Sequence, residues 1–227
     1  MRSSWVPRLL LGVGAIALIG AIVSIAIGTG GPKVIKLKGG DQVQELVGGI
    51  QQDGADLGPP DAAVTISVFN DLQCSTCDDY EVHTVDPLIE EYARTGEAKF
   101  EFRNYSLGQA ETTKAAYAAT AAGQQDREWQ FVETFFRNQD AAPAGNVSEE
   151  FLNNIVNSIT DLDLATWQRD MASPEVKARV DADAQLAADY GLRVNGPSIV
   201  VEGPGGTKVL QDSPSQEEVQ AAVQAVE

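Results

Sequence analysis

Histidine and cysteine are nearly absent from this chain of 227 residues, which has one histidine, His83, and two cysteines, Cys74 and Cys77. A single imidazole excludes any one-chain site that needs two. Two cysteines exclude both a disulfide-dense scaffold and a four-cysteine zinc site. Basic residues are scarce as well. Lys+Arg number 16 against 33 Asp+Glu, a formal charge of −17. A surface of that sign repels phosphate backbones, so nucleic acid is excluded as a partner. Apolar residues make up 43% of the chain, too many for a disordered protein. The length fits one or two domains with a real core. No internal repeat or low-complexity tract is evident.

Charge is missing altogether from Leu9 to Ile27, LLLGVGAIALIGAIVSIAI. As a helix this run spans about 28 Å, close to the hydrocarbon thickness of a bilayer. Arg2 and Arg8 precede it and no acid occurs before Asp41. The positive-inside tendency then puts residues 1–8 in the cytoplasm, a single transmembrane anchor at 9–28, and the rest of the chain outside the cell membrane. Lys33, Lys36 and Lys38 on the far side oppose that orientation. The competing reading is a cleaved signal peptide with Ser24-Ile25-Ala26 as the small-x-small site; the run is longer than a usual signal core. Either way the C-terminal part is extracytoplasmic, where disulfides persist. Gly20, Ser24 and Gly28 recur every four residues and would let another helix approach closely, although small residues are common in membrane helices anyway.

Residues 29–60 read as a linker with one short helix, in which Val43, Leu46, Val47 and Ile50 fall at helical spacing before Gly54, Gly58, Pro59 and Pro60 break the chain. Val64 to Phe69 is β-branched and predicts a strand. Ser75 to about Arg94 predicts a helix carrying Tyr80, Val82, Val85, Leu88, Ile89 and Tyr92, and the alternating run Ala98 to Arg103 predicts a second strand. Helices are expected at 110–122, 127–138, 148–159, 163–172 and 174–190. Ser198–Val201 and Thr207–Leu210 then predict a hairpin, and Ser215-x-x-Glu218 is a capping box that opens a last helix. A strand–helix–strand unit followed by a hairpin and a helix is the α/β plan of thioredoxin. It occupies 61–227, with a helical insert at about 106–190. Trp129, Phe131, Phe135 and Phe136 are expected in the core, and the acids at 149–150 and 161–163 at solvated helix starts.

Both cysteines fall in Cys74-Ser75-Thr76-Cys77, directly after a strand and at the start of a helix, the setting in which this spacing means redox chemistry. The free N–H groups of a helix start can hold Cys74 as the nucleophilic thiolate. The Ser75 and Thr76 hydroxyls can donate further hydrogen bonds to it. Cys77, one turn on, is within reach for a disulfide and more buried. A metal half-site with His83 is disfavoured because His83 lies about 13 Å along the helix from Cys74. The same distance leaves His83 an ordinary helix residue. A purely structural disulfide is disfavoured because so short a loop constrains the unfolded chain little. Gly196-Pro197 stands at the start of a strand, where the plan favours a cis bond that sets residues 195–197 against the cysteine turn, with main-chain groups free for an extended peptide and glycine leaving room.

Ile50-Gln-Gln-Asp-Gly54 with Leu57-Gly58, then VTISVFNDLQCSTC, FRNYSL, the helical block and NGPSIVV together resemble the DsbA-type thiol–disulfide oxidoreductases, above all the membrane-anchored forms of Gram-positive bacteria. The resemblance covers about residues 50–226. It implies that Cys74 attacks, Cys77 resolves and Pro197 is a cis-proline in contact with substrate. The chain departs from the family in two places: Ser75-Thr76 replaces a dipeptide that often begins with proline, and Val68 stands where many members carry a buried acid. Both departures bear on redox potential.

The expected function is extracytoplasmic oxidation of cysteine pairs in secreted or membrane proteins through a Cys74–Cys77 disulfide, without cofactor or metal. Its expected partners are cysteine-containing proteins, a membrane redox partner and, through the anchor, a membrane complex. The alternatives are a reductase of metal- or haem-site cysteines and a non-catalytic subunit or assembly factor that keeps the fold for docking. An isomerase is disfavoured, since 29–60 is too short for a separate dimerisation domain.

Overall fold

The computed structural model describes residues 36–75, 77–105, 110–142, 146–193 and 196–227. The expected anchor at 9–28 and Thr76 lie outside the described residues. Among those described, no helix is long and apolar enough to cross a membrane.

A six-stranded sheet runs in the order β1-β2-β4-β3-β5-β6. Its centre is β3 (Val64–Asn70), parallel to β4 (Ala98–Asn104) and antiparallel to β5 (Ser198–Gly203), with β6 (Gly206–Leu210) at one edge. The other edge is a hairpin of β1 (Gln52–Asp53) and β2 (Asp56–Leu57), in which Leu57 pairs with Phe100 of β4. Residues that the Gly and Pro pattern assigns to a linker are therefore part of the sheet. The short helix before them is α1 (Gly40–Val47), which buries Val43, Leu46 and Val47.

Between β3 and β4 runs a helical stretch that is not a uniform α-helix. It passes through α2 (Cys77–Tyr80), a π-helical turn (Glu81–Val85), α3 (Asp86–Leu88) and a second π-helical turn (Ile89–Ala93). Pro87 gives a reason for the first wide turn. Proline has no N–H to donate and its ring crowds the carbonyl one turn back, so the ladder opens ahead of it. The face this run buries carries Cys77, Glu81, Val85, Leu88, Ile89, Tyr92 and Ala93. Val82, assigned to that face by the hydrophobic pattern, is exposed, and Glu81 is buried in its place.

The insert follows β4 as α4 (Ala110–Gly123), α5 (Glu128–Phe136), a 3-10 turn (Gln139–Ala141), α6 (Glu149–Ser158), α7 (Leu164–Asp170) and α8 (Pro174–Asp189). Ser148, Asp163 and Ser173 cap α6, α7 and α8 by accepting backbone N–H bonds, as expected of such residues at helix starts. α9 (Gln216–Val226) opens with the expected capping box of Ser215 and Glu218.

Strand alternation divides the sheet into two faces. On one face Ile66, Val68, Phe100, Phe102, Ile199 and Val201 join the main core with the 77–93 stretch, the insert and α9. Trp129 of α5 stands edge-on to Phe100 and Phe102 and donates from Nε1 to the Ala55 carbonyl at 2.7 Å. Phe131, Phe135 and Phe136 are buried with it, as the sequence spacing predicts. On the other face Phe69 and Val200 pack against Ala187 of α8 and Leu192.

Candidate active site

β3 delivers the chain to the carboxyl end of the sheet, where Asn70 closes the strand and a tight turn begins. The Asp71 N–H donates to Asn70 Oδ1 at 2.9 Å, the Gln73 N–H to Asp71 Oδ1 at 2.8 Å and the Cys74 N–H to the Asp71 carbonyl at 3.0 Å. The insert holds the turn from above, with Gln139 Nε2 on the Leu72 carbonyl at 2.7 Å. Cys77 opens α2 and donates its N–H to the Cys74 carbonyl at 3.2 Å.

Cys74 and Cys77 are joined by a disulfide, with Cα atoms 5.4 Å apart. The pair is asymmetric. Cys74 is half-buried, whereas Cys77 is 1% exposed and part of the main core. Cys74 is thus the more accessible residue of the pair. Ser75 is exposed beside them. His83 is exposed and turned back onto Asp79, with Nδ1 3.1 Å from Oδ1, so it plays no part in the pair.

Gly196 and Pro197 arrive at the same end of the sheet, because Ser198, the first residue of β5, pairs with Phe69 near the end of β3. Three details differ from expectation. No peptide bond among the described residues is cis, so Gly196–Pro197 is trans. Gly196 makes the change of direction instead, at φ +150°, leaving proline an ordinary strand start. The Pro197 carbonyl is not free, since it accepts the Ser213 N–H at 2.9 Å. The space left by glycine faces Ser213 as well, not the disulfide: a Cβ at Gly196 would stand 2.7 Å from Ser213 Oγ. The adjoining Pro214 carbonyl accepts from Tyr80 Oη at 2.9 Å, which ties this loop to the cysteine helix.

Sequence reasoning misses the buried polar floor of the site. Asn70 and Asn104 are partners in the parallel register of β3 and β4, and each donates to a buried glutamate. Asn70 Nδ2 reaches Glu81 at 2.9 Å, and Asn104 Nδ2 reaches Glu128 of α5 at 3.3 Å. Beyond Glu81 lie Asp86, Glu133 and Arg137, with the Arg137 guanidinium paired to both Glu133 and Asp86. Burial pushes Glu81, Glu133 and Asp86 each up to about 8, most strongly against the charged form, with neighbouring carboxylates adding to it and Arg137 opposing. The signal for Glu81 was present: it stands four residues after Cys77 in the series 77, 81, 85, 88 that marks the buried face.

Comparison with known proteins agrees with this geometry. A family model described as Thioredoxin matches residues 51–225. A probable disulfide bond formation protein D of Bacillus anthracis is 30% identical over 151 residues, covering 65% of this chain and 69% of that protein. A thioredoxin-like oxidoreductase from Silicibacter pomeroyi superposes with a TM-score of 0.61 at 26% identity, covering 80% of this chain and 95% of the other. Oxidised BdbD from Bacillus subtilis shares the fold at a TM-score of 0.63 and 21% identity, covering 77% of this chain and 95% of its own. With a disulfide-bonded C-x-x-C opening the first long helix of this sheet, the chain belongs to the thioredoxin family and is a DsbA-like thiol–disulfide oxidoreductase.

Proposed function

We propose that this oxidoreductase works outside the cytoplasm, anchored by residues 9–28, and oxidises cysteine pairs in secreted or membrane proteins. The observation that carries the reading is the asymmetry of the pair, an accessible Cys74 over a buried Cys77. A client thiolate attacks Cys74, a mixed disulfide forms there, and the second client thiol displaces Cys74 to leave the client oxidised. Gly196 and Pro197 border the place where the client chain lies. Support for the location comes from the uncharged run after Arg2 and Arg8 and from relatives named for disulfide bond formation. A membrane redox partner then restores the disulfide.

A reductase working on metal- or haem-site cysteines is favoured by one observation. Asp71, Asp78 and Asp79 flank the pair, and negative charge nearby disfavours a thiolate, which makes the disulfide less oxidising. Equilibration of the protein in glutathione buffers separates the two. A potential near about −120 mV supports the oxidant, and one near about −270 mV supports the reductase. Location is tested with a cysteine introduced at exposed Lys208 in a chain lacking Cys74 and Cys77. It should react with a membrane-impermeant reagent in intact cells; labelling only after lysis contradicts the orientation.

A further inference from the structure

The turn that joins β6 to α9 carries two adjacent residues in the left-handed region, Asp212 at φ +63° and Ser213 at φ +59°. Residues other than glycine adopt that region rarely and at a cost, so contacts around them must hold it. Those contacts reach two elements of the site. Three of them meet the segment that leads into β5. The Arg193 N–H donates to Gln211 Oε1 at 3.0 Å, Arg193 Nη2 lies 2.6 Å from Asp212 Oδ2, and the Ser213 N–H donates to the Pro197 carbonyl at 2.9 Å. A fourth meets the cysteine helix. Tyr80, at the end of α2 and three residues after Cys77, donates from Oη to the Pro214 carbonyl at 2.9 Å. Tyr80 is half-buried and packs against the main core. Burial, with Glu81 and Glu218 adding to it, holds its hydroxyl well above the ordinary phenol range, so the group stays a donor.

We propose that the Tyr80 hydroxyl is a positioning group for client binding: through Pro214 and Ser213 it fixes the Gly196-Pro197 segment against the cysteine helix, so that a chain lying on that segment brings its thiol to Cys74. Without the bond the turn stays tied to residues 193–197 but is released from the helix at Tyr80, and the segment is free to shift relative to the disulfide. Reactions between held groups lose rate steeply when the groups are misplaced by about 1 Å. A small thiol needs no such framing, since it approaches the sulfur directly. Tyr80 itself gives and takes neither electrons nor protons in the exchange, so the inference holds for an oxidant or a reductase. It rests on the reading that clients lie along 196–197.

The test is single-turnover opening of the disulfide of the full chain by an excess of a fluorescent peptide bearing a cysteine pair, set beside opening by dithiothreitol. Tyr80→Phe should raise the peptide concentration that gives half the maximal rate by about fivefold, the weight of one hydrogen bond. The maximal rate and the dithiothreitol rate should stay within about twofold of wild type. Gln220→Ala is the control. It removes another tie between α9 and the same helical stretch, the 2.7 Å bond from Gln220 Nε2 to Glu91, farther from the cysteines along the chain, and should leave half-saturation intact. Where Tyr80→Phe fails to fold, Arg193→Gln decides the matter. Arg193 is exposed, and its loss releases the turn from the other side, which should raise half-saturation about twofold. Half-saturation unchanged in Tyr80→Phe or, in its stead, Arg193→Gln overturns the proposal. So does a loss shared equally with dithiothreitol, or an equal change in Gln220→Ala. Gly196→Ala separates the proposal from the reading beneath it, because its Cβ would stand 2.7 Å from Ser213 Oγ at the place assigned to the client. An unchanged half-saturation there removes the client from 196–197 altogether, whereas a raised one beside an unaffected Tyr80→Phe overturns the role of the tyrosine alone.

Discussion

Two groups of partly or fully buried charge lie on opposite faces of the same sheet, and they are built differently. On the face toward α8, Asp56, Lys99, Glu101, Arg103, Asp183 and Arg179 alternate in sign, each acid within reach of a cation. Lys99 and Arg103 hold the Glu101 carboxyl below the ordinary range although burial works the other way. On the face toward the cysteine helix, Glu81, Asp86 and Glu133 share Arg137 alone, and all three are pushed upward. Balanced charge stays ionised and serves as a cross-strand girder. Unbalanced charge favours the protonated carboxyl, here on the helical stretch that Cys77 opens. Composition cannot distinguish the two, since both are acids and bases spread along the chain.

The sharpest break in this contrast is Arg137→Met. It removes the only cation of the unbalanced group and should destabilise the fold by about 3–5 kcal/mol at pH 8. The loss should shrink at pH 6, where the acids are mostly protonated; denaturant titration at the two values reads it. Asp183→Ala attacks the balanced group, removing the one carboxylate paired with Arg179 and one of the two paired with Arg103. It should cost about 3 kcal/mol at pH 6 and at pH 8 alike. A pH-dependent loss there, or a pH-independent one for Arg137→Met, would erase the distinction.

The wild type supplies a smaller effect. The folded-state values of Glu81, Asp86 and Glu133 lie above their unfolded values of 4.5, 3.8 and 4.5. The native state therefore binds more protons than the unfolded one across that interval, and stability falls as pH rises from about 4.5 toward 8. Unfolding free energy should drop by at least about 1 kcal/mol between pH 5.5 and 8, and Glu133→Gln should flatten the slope. The smallest effect belongs to Ser67→Ala, which removes the 3.1 Å bond from Ser67 Oγ to Glu101 and should cost about 1 kcal/mol at either pH.

Much of this molecule was legible from sequence because its elements are long and periodic. Val64–Asn70, Ala98–Asn104 and the capped helices of the insert fall where residue spacing puts them, as does the C-x-x-C. The β1–β2 hairpin was not legible, since strands of two residues carry no period and belong to the sheet only through Leu57 and Phe100. The π-helical turns were hidden because tertiary packing around Pro87 sets them. The Glu81 cluster was hidden because burial of an acid at 81 depends on Glu133 and Arg137, which are remote in sequence. Gly196-Pro197 was placed at the correct end of the sheet but given the wrong geometry: the glycine's positive φ makes the bend that a cis bond was expected to make.

The central claim is that Cys74 is the exchanging sulfur and Cys77 the resolving one, and trapping of mixed disulfides tests it most directly. Cys77→Ala and Cys74→Ala chains, expressed in their native cells and quenched with acid, would be run on non-reducing gels. Cys77→Ala should accumulate mixed disulfides through Cys74, because no internal thiol remains to release them. Cys74→Ala should accumulate few, because the remaining sulfur is buried. Equal trapping by the two variants, or trapping by neither, would contradict the account.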